Sequence, residues 1–428
     1  MPESTGFATI RTEIAGVSVT ELARRFGTPL FVYDQERIVR RVADLAMFDR
    51  VRYAQKACSN LAILDLLRRR GVLVDAVSAG EVQRALRAGY APDGTPPPIV
   101  YTADIFDAES LELCVQLNLH VNCGSPDMIE QWGQRAPGSG VTLRLNPGFG
   151  HGHSQKTNTG GEQSKHGIWH EQLGECLARA KQFDLTVTGL HMHIGSGTDL
   201  EHLSRVCAAM ESAACEAGPS VASISAGGGL PVPYRDGEEY VDLDAYYQLW
   251  DAVRRRLEAR FGHPVGLEIE PGRYLVAEAG YLIAEVRAVK QQADNTFYLV
   301  DAGFNNLARP ILYGAYHPMA ITPAGSDTER PQRDVIVGGP LCESGDIFTQ
   351  EEGGFVCTRR LPDARVGDFL VIENVGAYGF VMGSNYNSKP LAAEVLLRGD
   401  GLHLIRRRQS FEELMHGESI PETDGAEW

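Results

Sequence analysis

Short runs rich in β-branched and aromatic residues recur through the first part of the chain. They are VRYAQK (51–56), VLVDAVS (72–78), PIVYT (98–102), LHVNCGS (119–125), VTLRLNP (141–147), TVTGLHMHIGS (186–196), VASISAGGG (221–229) and VGLEIEPGR (265–273). Amphipathic, helix-like stretches lie between them, among them NLAILDLLRRR (60–70), AGEVQRALRAG (79–89), DAESLELCVQL (107–117) and LDAYYQLWDAVRRRLEARF (243–261). Strand and helix alternating through eight strands predict a (β/α)8 barrel, a better fit than a long open parallel sheet. After about residue 275 the pattern changes. YLIAEVRAVK, TFYLVDAG, DVIVGG, DFLVIENV and LAAEVLL read as strands with no regular helices between them, which predicts a β-rich second domain.

The first 30 residues do not share the barrel period and are expected to join that second domain. The expected organisation is therefore an N-terminal segment (1–30), a barrel (31–275), a β-rich domain (276–415) and a mobile tail (416–428). The Gly-rich loop 148–167 is expected to overhang the barrel as a lid.

Composition narrows the class. A chain of 428 residues suits a barrel of roughly 250 residues plus another domain. Hydrophobic residues at 43% and charged residues at 22% can fill an ordinary globular core. A net charge of −16 speaks against nucleic acid as a partner, because phosphate binding needs a basic face. No apolar run approaches the roughly 18–20 residues of a membrane span. The N-terminus, MPESTGFATIRTE, lacks the basic flank and apolar core of a secretory signal. Eight cysteines without a CxxC pair suggest neither zinc nor a disulfide framework. A cytoplasmic enzyme with reduced thiols is expected.

Polar residues cluster at the predicted strand ends: Lys56, Asp75, Ser78, Thr102, Asn122, Asn146, His193, Gly227–Gly229, Glu270 and Arg273. Barrel enzymes build their sites on that rim. Lys56, buried there, could lose its charge and form a Schiff base with an aldehyde. Pyridoxal 5'-phosphate (PLP) is the aldehyde cofactor whose other needs this rim can meet. The glycines at 227–229 and Gly272 with Arg273 could cradle a phosphate. Glu270 could face the pyridine nitrogen. Each residue alone has an ordinary reading as a solvated lysine, a plain turn or a structural ion pair. His191 and His193 share a strand face, but no third ligand has metal spacing, so no metal is expected. The His193 ring suits packing on a flat cofactor. His151, His153 and His166 read as ordinary loop residues.

The motifs YAQKA, HMHIGSG, SAGGGL, EIEPGR, GPLCESGD and GAYG, in that order, resemble the group III PLP decarboxylases, and among them the bacterial diaminopimelate decarboxylases. The resemblance runs from about residue 25 to 415. It implies PLP held on Lys56, with His193 stacked on the ring and Glu270 at the pyridine nitrogen. Asp75, Ser196, Gly228, Gly229, Gly272, Arg273 and Tyr378 would complete the cofactor site, with Arg273 and Tyr378 also near substrate. It further implies a homodimer with shared sites, the CESGD segment coming from the partner. Cys342 would then be the acid that returns a proton, and Glu343 a substrate contact.

The implied reaction is decarboxylation of meso-2,6-diaminopimelate to L-lysine and CO2, the last step of lysine biosynthesis. Its substrate carries a carboxylate at the far end, which Arg309 could grip with its guanidinium while Tyr313 adds a hydrogen bond. Alternatives are a decarboxylase of D-lysine or D-ornithine, which would not need Arg309, and a non-catalytic regulatory protein on the same fold. A racemase is a third, but it needs acid–base groups on both cofactor faces.

Overall fold

The structure, a computed structural model, describes residues 6–150, 160–193, 199–327, 329–399 and 401–421. The first strand relevant to the site, β1 (Leu30–Asp34), precedes the barrel. Eight further strands then run in parallel: β2 (Arg50–Ala54), β3 (Leu73–Ala76), β4 (Ile99–Ala103), β5 (His120–Cys123), β6 (Gly140–Asn146), β7 (Thr186–His191), β8 (Ser223–Ser225) and β9 (Gly266–Ile269). Each pairs with its neighbour, and β9 returns to β2 through Glu268 opposite Arg50 and Ile269 opposite Val51. That last pairing closes the barrel.

The crossover helices start where side chains satisfy the first free amides. Asn60, Ser78, Asp107 and Ser125 accept from the backbone of Ala62, Glu81, Ser110 and Met128. These caps sit just past the barrel strands, so the same short turns that end a strand also start a helix. Apolar helix faces such as Ile63, Leu64 and Leu67 pack onto the barrel, all fully buried.

The strands are shorter than the sequence suggests, and this moves several rim residues. β2 stops at Ala54, so Lys56 lies in a 3-10 turn (Gln55–Ala57), where its side chain is exposed rather than buried. β8 stops at Ser225 and β9 at Ile269, which puts Gly227–Gly229, Glu270 and Arg273 in the turns beyond. The pairing continues there without regular strand geometry: Ala226 donates to the Glu268 carbonyl and Glu270 to the Gly227 carbonyl. Apolar periodicity marks where a strand begins. It does not mark where the ladder gives way to a turn.

The second sheet is built from β1 and from β10 (Gly280–Gln292), β11 (Asn295–Val300), β12 (Met319–Thr322), β13 (Gln332–Gly338), β14 (Arg359–Pro362), β15 (Phe369–Glu373), β16 (Ala393–Arg398) and β17 (Gly401–Arg406). Its order is β14-β13-β11-β10-β1-β16-β17, with β15 pairing both β10 and β12. The chain therefore enters the barrel after Asp34, later than the expected junction at residue 30. In β1, Phe31 and Tyr33 face the core shared with the barrel, while Leu30 and Val32 face a smaller core with Leu22, Ile283 and Val395. Both faces are covered, so all five residues are buried.

The two domains cross closely at one point. A Cβ on Gly376 would stand 1.9 Å from the Val276 carbonyl oxygen, so only glycine fits there. Gly376 opens the GAYG segment and brings Tyr378, at φ +58°, over the barrel mouth, where its amide donates to the Ala57 carbonyl at 2.8 Å.

Of the expected lid, residues 151–159 lie outside the described residues, and so do His151 and His153. The root of that loop is pinned. Asn146 bonds Gly148 and Gly161, and Asp104 bonds His166 Nδ1 at 2.6 Å and the Gly167 amide at 2.9 Å. No helix among the described residues is long and apolar enough to cross a membrane. Of the expected tail, residues 422–428 also lie outside the described residues.

Candidate active site at the barrel mouth

The last residues of β7 and β8 converge on Glu270, in the turn after β9. Its Oε2 lies 2.7 Å from His191 Nε2, and its Oε1 accepts from Ser225 Oγ at 2.9 Å. Burial alone would push this carboxyl up. The His191 ring, by charge and hydrogen bond, and the Ser225 hydroxyl outweigh that and hold it at about 2. Glu270 is therefore ionised throughout the physiological range. Asp75, at the end of β3, is driven the other way, first by burial and then by the neighbouring Glu270 charge. The two carboxyl groups are thus driven in opposite directions.

His193 is held in one tautomer. The Gly228 amide donates to its Nδ1 at 2.7 Å, so the ring proton sits on Nε2. Burial, then the charges of Arg144 and Lys56, hold its pKa well below the ordinary value, so the ring is neutral. The same bond uses the amide of Gly228. A Cβ at Gly228 would meet the Glu270 carbonyl at 2.4 Å and His193 Cε1 at 3.2 Å. This glycine serves the close packing of three turns. Lys56 is an electrostatic neighbour of Asp75, Glu81 and His193 and so borders the same cluster.

A second group stands beside the first, joined to it through Tyr378. The guanidinium of Arg273 lies 5.4 Å from the centre of the Tyr378 ring and that of Arg309 5.8 Å. On a second aromatic face, Tyr234 lies 5.8 Å from Arg273 and 5.5 Å from Arg309, and its hydroxyl accepts from Arg273 Nη1 at 3.2 Å. Arg309 and Tyr313 share a single helical turn (Arg309–Tyr313). Arg309 is 7% exposed, and its Nε has no hydrogen-bond partner among the described residues. Among the described residues no carboxylate pairs with either guanidinium. Two crowded cations without a counter-ion make a site for anionic groups.

Cys342 and Glu343 join neither group by a hydrogen bond among the described residues. Both are exposed on the β-rich domain, in a turn organised by Asp346, whose carboxylate accepts from the Leu341 and Phe304 amides. The Cys342 amide donates to Asn387 Oδ1 at 2.7 Å. Among the described residues no hydrogen bond or ion pair joins Cys342 or Glu343 to Lys56, Arg273 or Arg309. Ser196 lies outside the described residues.

The donor set fits PLP. An ionised buried carboxylate, a neutral imidazole, a rim lysine and an uncompensated arginine pair match a pyridine nitrogen, a flat ring, an aldehyde and a phosphate with substrate carboxylates. Buried polar atoms without partners, Asp75 Oδ1 and His191 Nδ1 among them, lie in this region. A family model described as "Pyridoxal-dependent decarboxylase, pyridoxal binding domain" matches residues 35–277. The chain belongs to the pyridoxal-dependent decarboxylases.

Its similarity to named members extends over nearly the whole length. It is 54% identical over 406 residues to a diaminopimelate decarboxylase of Escherichia coli (strain K12), covering 94% of this chain and 97% of that one. A crystal structure of a diaminopimelate decarboxylase superposes with a TM-score of 0.90 at 54% identity, over 93% of this chain and 95% of that chain. The Helicobacter pylori diaminopimelate decarboxylase complexed with L-lysine gives a TM-score of 0.81 at 32% identity, over 92% and 98%.

The structure thus gathers Lys56, Asp75, His193, Gly228, Glu270, Arg273, Arg309, Tyr313 and Tyr378 on one mouth. Sequence reasoning passed over the residues that orient them. His191 was weighed there only as a metal ligand, and Ser225 and Tyr234 drew no notice. The HMH and SISAGGG segments carry a signal for the first two, since alternate residues on parallel strands share the barrel interior. Tyr234 lies in irregular chain, where periodicity is silent.

Proposed function

We propose that this mouth is the active site of a PLP-dependent decarboxylase that converts meso-2,6-diaminopimelate to L-lysine and CO2. The observation that carries the choice of substrate is the buried Arg309, which has no carboxylate partner among the described residues. A decarboxylase of D-lysine or D-ornithine has no use for a second uncompensated guanidinium.

Lys56 Nζ is the amine that holds the cofactor aldehyde. The Glu270 carboxylate would hold a proton at the cofactor's ring nitrogen, and the neutral His193 ring would offer the flat ring a packing surface. The Gly229 and Gly272–Arg273 turns, with Tyr378, would receive the phosphate, and Ser196, outside the described residues, is proposed to join them. The chemistry PLP would supply there is that of an electron-poor ring, the electron sink that loss of a carboxylate as CO2 requires. Arg309 and Tyr313 grip the distal carboxylate, which fixes the orientation of the reacting end.

Cys342 Sγ returns a proton to the α-carbon. Because it is exposed and, among the described residues, bonded to none of these side chains, it acts from a second copy, in a homodimer whose sites are shared, where Glu343 meets the distal amine.

Borohydride reduction after PLP addition tests this assignment. Peptide mapping is expected to find the pyridoxyl group on Lys56, and Lys56→Ala is expected to lose both the label and CO2 release. A label on a different lysine, or an active Lys56→Ala enzyme, would overturn it.

A further inference from the structure

We infer that Tyr234 is a positioning residue for the arginine pair, holding Arg273 through its hydroxyl and Arg309 beneath its ring, and so setting affinity for carboxylate-bearing ligands. The inference rests on the reading of Arg309 as the distal-carboxylate contact.

Two guanidiniums sharing one pocket repel each other. Burial holds Arg309 below its ordinary pKa, and the neighbouring Arg273 adds to that. Something must keep the pair spaced and aimed while no anion is bound, and the aromatic faces of Tyr378 and Tyr234 do so. Tyr234 alone adds a hydrogen bond, accepted from Arg273 Nη1 at 3.2 Å.

The ring of Tyr234 is itself held. His317 packs edge-on against it, with centroids 5.3 Å apart and planes at 90°. His317 is buried and donates from Nδ1 to the Glu373 carbonyl at 3.0 Å. The backbone beside Tyr234 is fixed as well, since Asn374 Nδ2 donates to the Pro233 carbonyl at 2.8 Å. Both anchors, Glu373 and Asn374, belong to one stretch of the β-rich domain. That domain therefore fixes a tyrosine from the barrel half of the chain, and the tyrosine fixes the two arginines. Reciprocally, burial pushes the Tyr234 phenol up, but Arg309 and Arg273 outweigh it and bring it below its ordinary value, as close contact with two cations requires.

The test compares L-lysine, which keeps one carboxylate, with cadaverine, which has none, by calorimetric titration of the PLP-loaded enzyme. Tyr234→Phe keeps the ring and removes the acceptor; Tyr234→Leu removes both. Tyr234→Phe is expected to weaken L-lysine by about tenfold and Tyr234→Leu by more, with cadaverine changed less than about twofold. Equal weakening of both ligands marks a merely structural role and overturns the inference, as does unchanged L-lysine affinity in both variants. Arg309→Ala separates the layers. If it weakens L-lysine while the Tyr234 variants do not, only the role of Tyr234 fails. If Arg309→Ala leaves L-lysine binding intact, the distal-carboxylate reading fails first.

Discussion

A carboxyl group sunk in a barrel interior normally takes up a proton. Glu270 stays ionised because His191 and Ser225 occupy both its oxygens, at 2.7 and 2.9 Å. Its charge can therefore act on a pyridine nitrogen at any working pH. Glu270→Gln, which keeps the shape and removes the charge, is expected to lower kcat for diaminopimelate by about a hundredfold or more, with the fold intact. A change under about threefold would contradict that role. Lys56 and Glu270 were legible in the sequence because each sits in a motif at a predicted strand end. The partner of Glu270 was not, since His191 lies 79 positions away and only the side-by-side order of β7, β8 and β9 brings them together. The tautomer of His193 was equally hidden, because it depends on one backbone amide from another turn.

At the scale of elements, β2 and β9 do two things. The turns past their far ends carry Lys56 and Glu270, and the strands themselves carry an ion-paired layer. Glu268 accepts from Arg50 Nη1 at 2.6 Å and from Arg52 Nε and Nη2 at 3.3 and 3.2 Å. These three residues line a cavity of about 270 Å³ that also reaches Asn122, Ser225 and Glu270. The layer lies toward the barrel's N-terminal face, where residues serve stability more than catalysis. Glu268→Ala would leave the fully buried Arg52 without its counter-ion, and a loss of about 3–5 kcal/mol in urea unfolding is expected. A loss under about 1 kcal/mol would show that Arg50 and Arg52 re-solvate freely. The alternation in GLEIE was readable as one strand face bearing two glutamates. Their opposite duties were not readable, because Glu268 faces two arginines across β2 and Glu270 faces a histidine on β7.

For the whole molecule, the barrel was legible from its strand–helix rhythm, and the second sheet from its loss. Less legible was the N-terminal strand β1, which lies at the heart of that second sheet, between β10 and β16. A short apolar run beside a barrel looks the same whichever sheet it joins, and only the pairing decides.

The exposed Cys342 carries the largest consequence at this scale. If it acts across a dimer interface, Lys56→Ala and Cys342→Ala enzymes, each inactive alone, should complement on mixing. Random exchange of subunits between symmetric dimers is expected to restore about a quarter of wild-type activity. No recovery, with exchange verified by mass, would place Cys342 in its own chain's site.

The central claim is that this mouth selects a substrate with a carboxylate at its far end. It is met most directly by comparing kcat/KM for meso-diaminopimelate and D-lysine in the PLP-loaded enzyme, with wild type and Arg309→Ala side by side. Wild type should prefer diaminopimelate by at least about a hundredfold, since D-lysine leaves a buried guanidinium unpaired, and Arg309→Ala should erase most of that preference. Equal turnover of the two substrates by wild type, or a preference that survives Arg309→Ala, would contradict it.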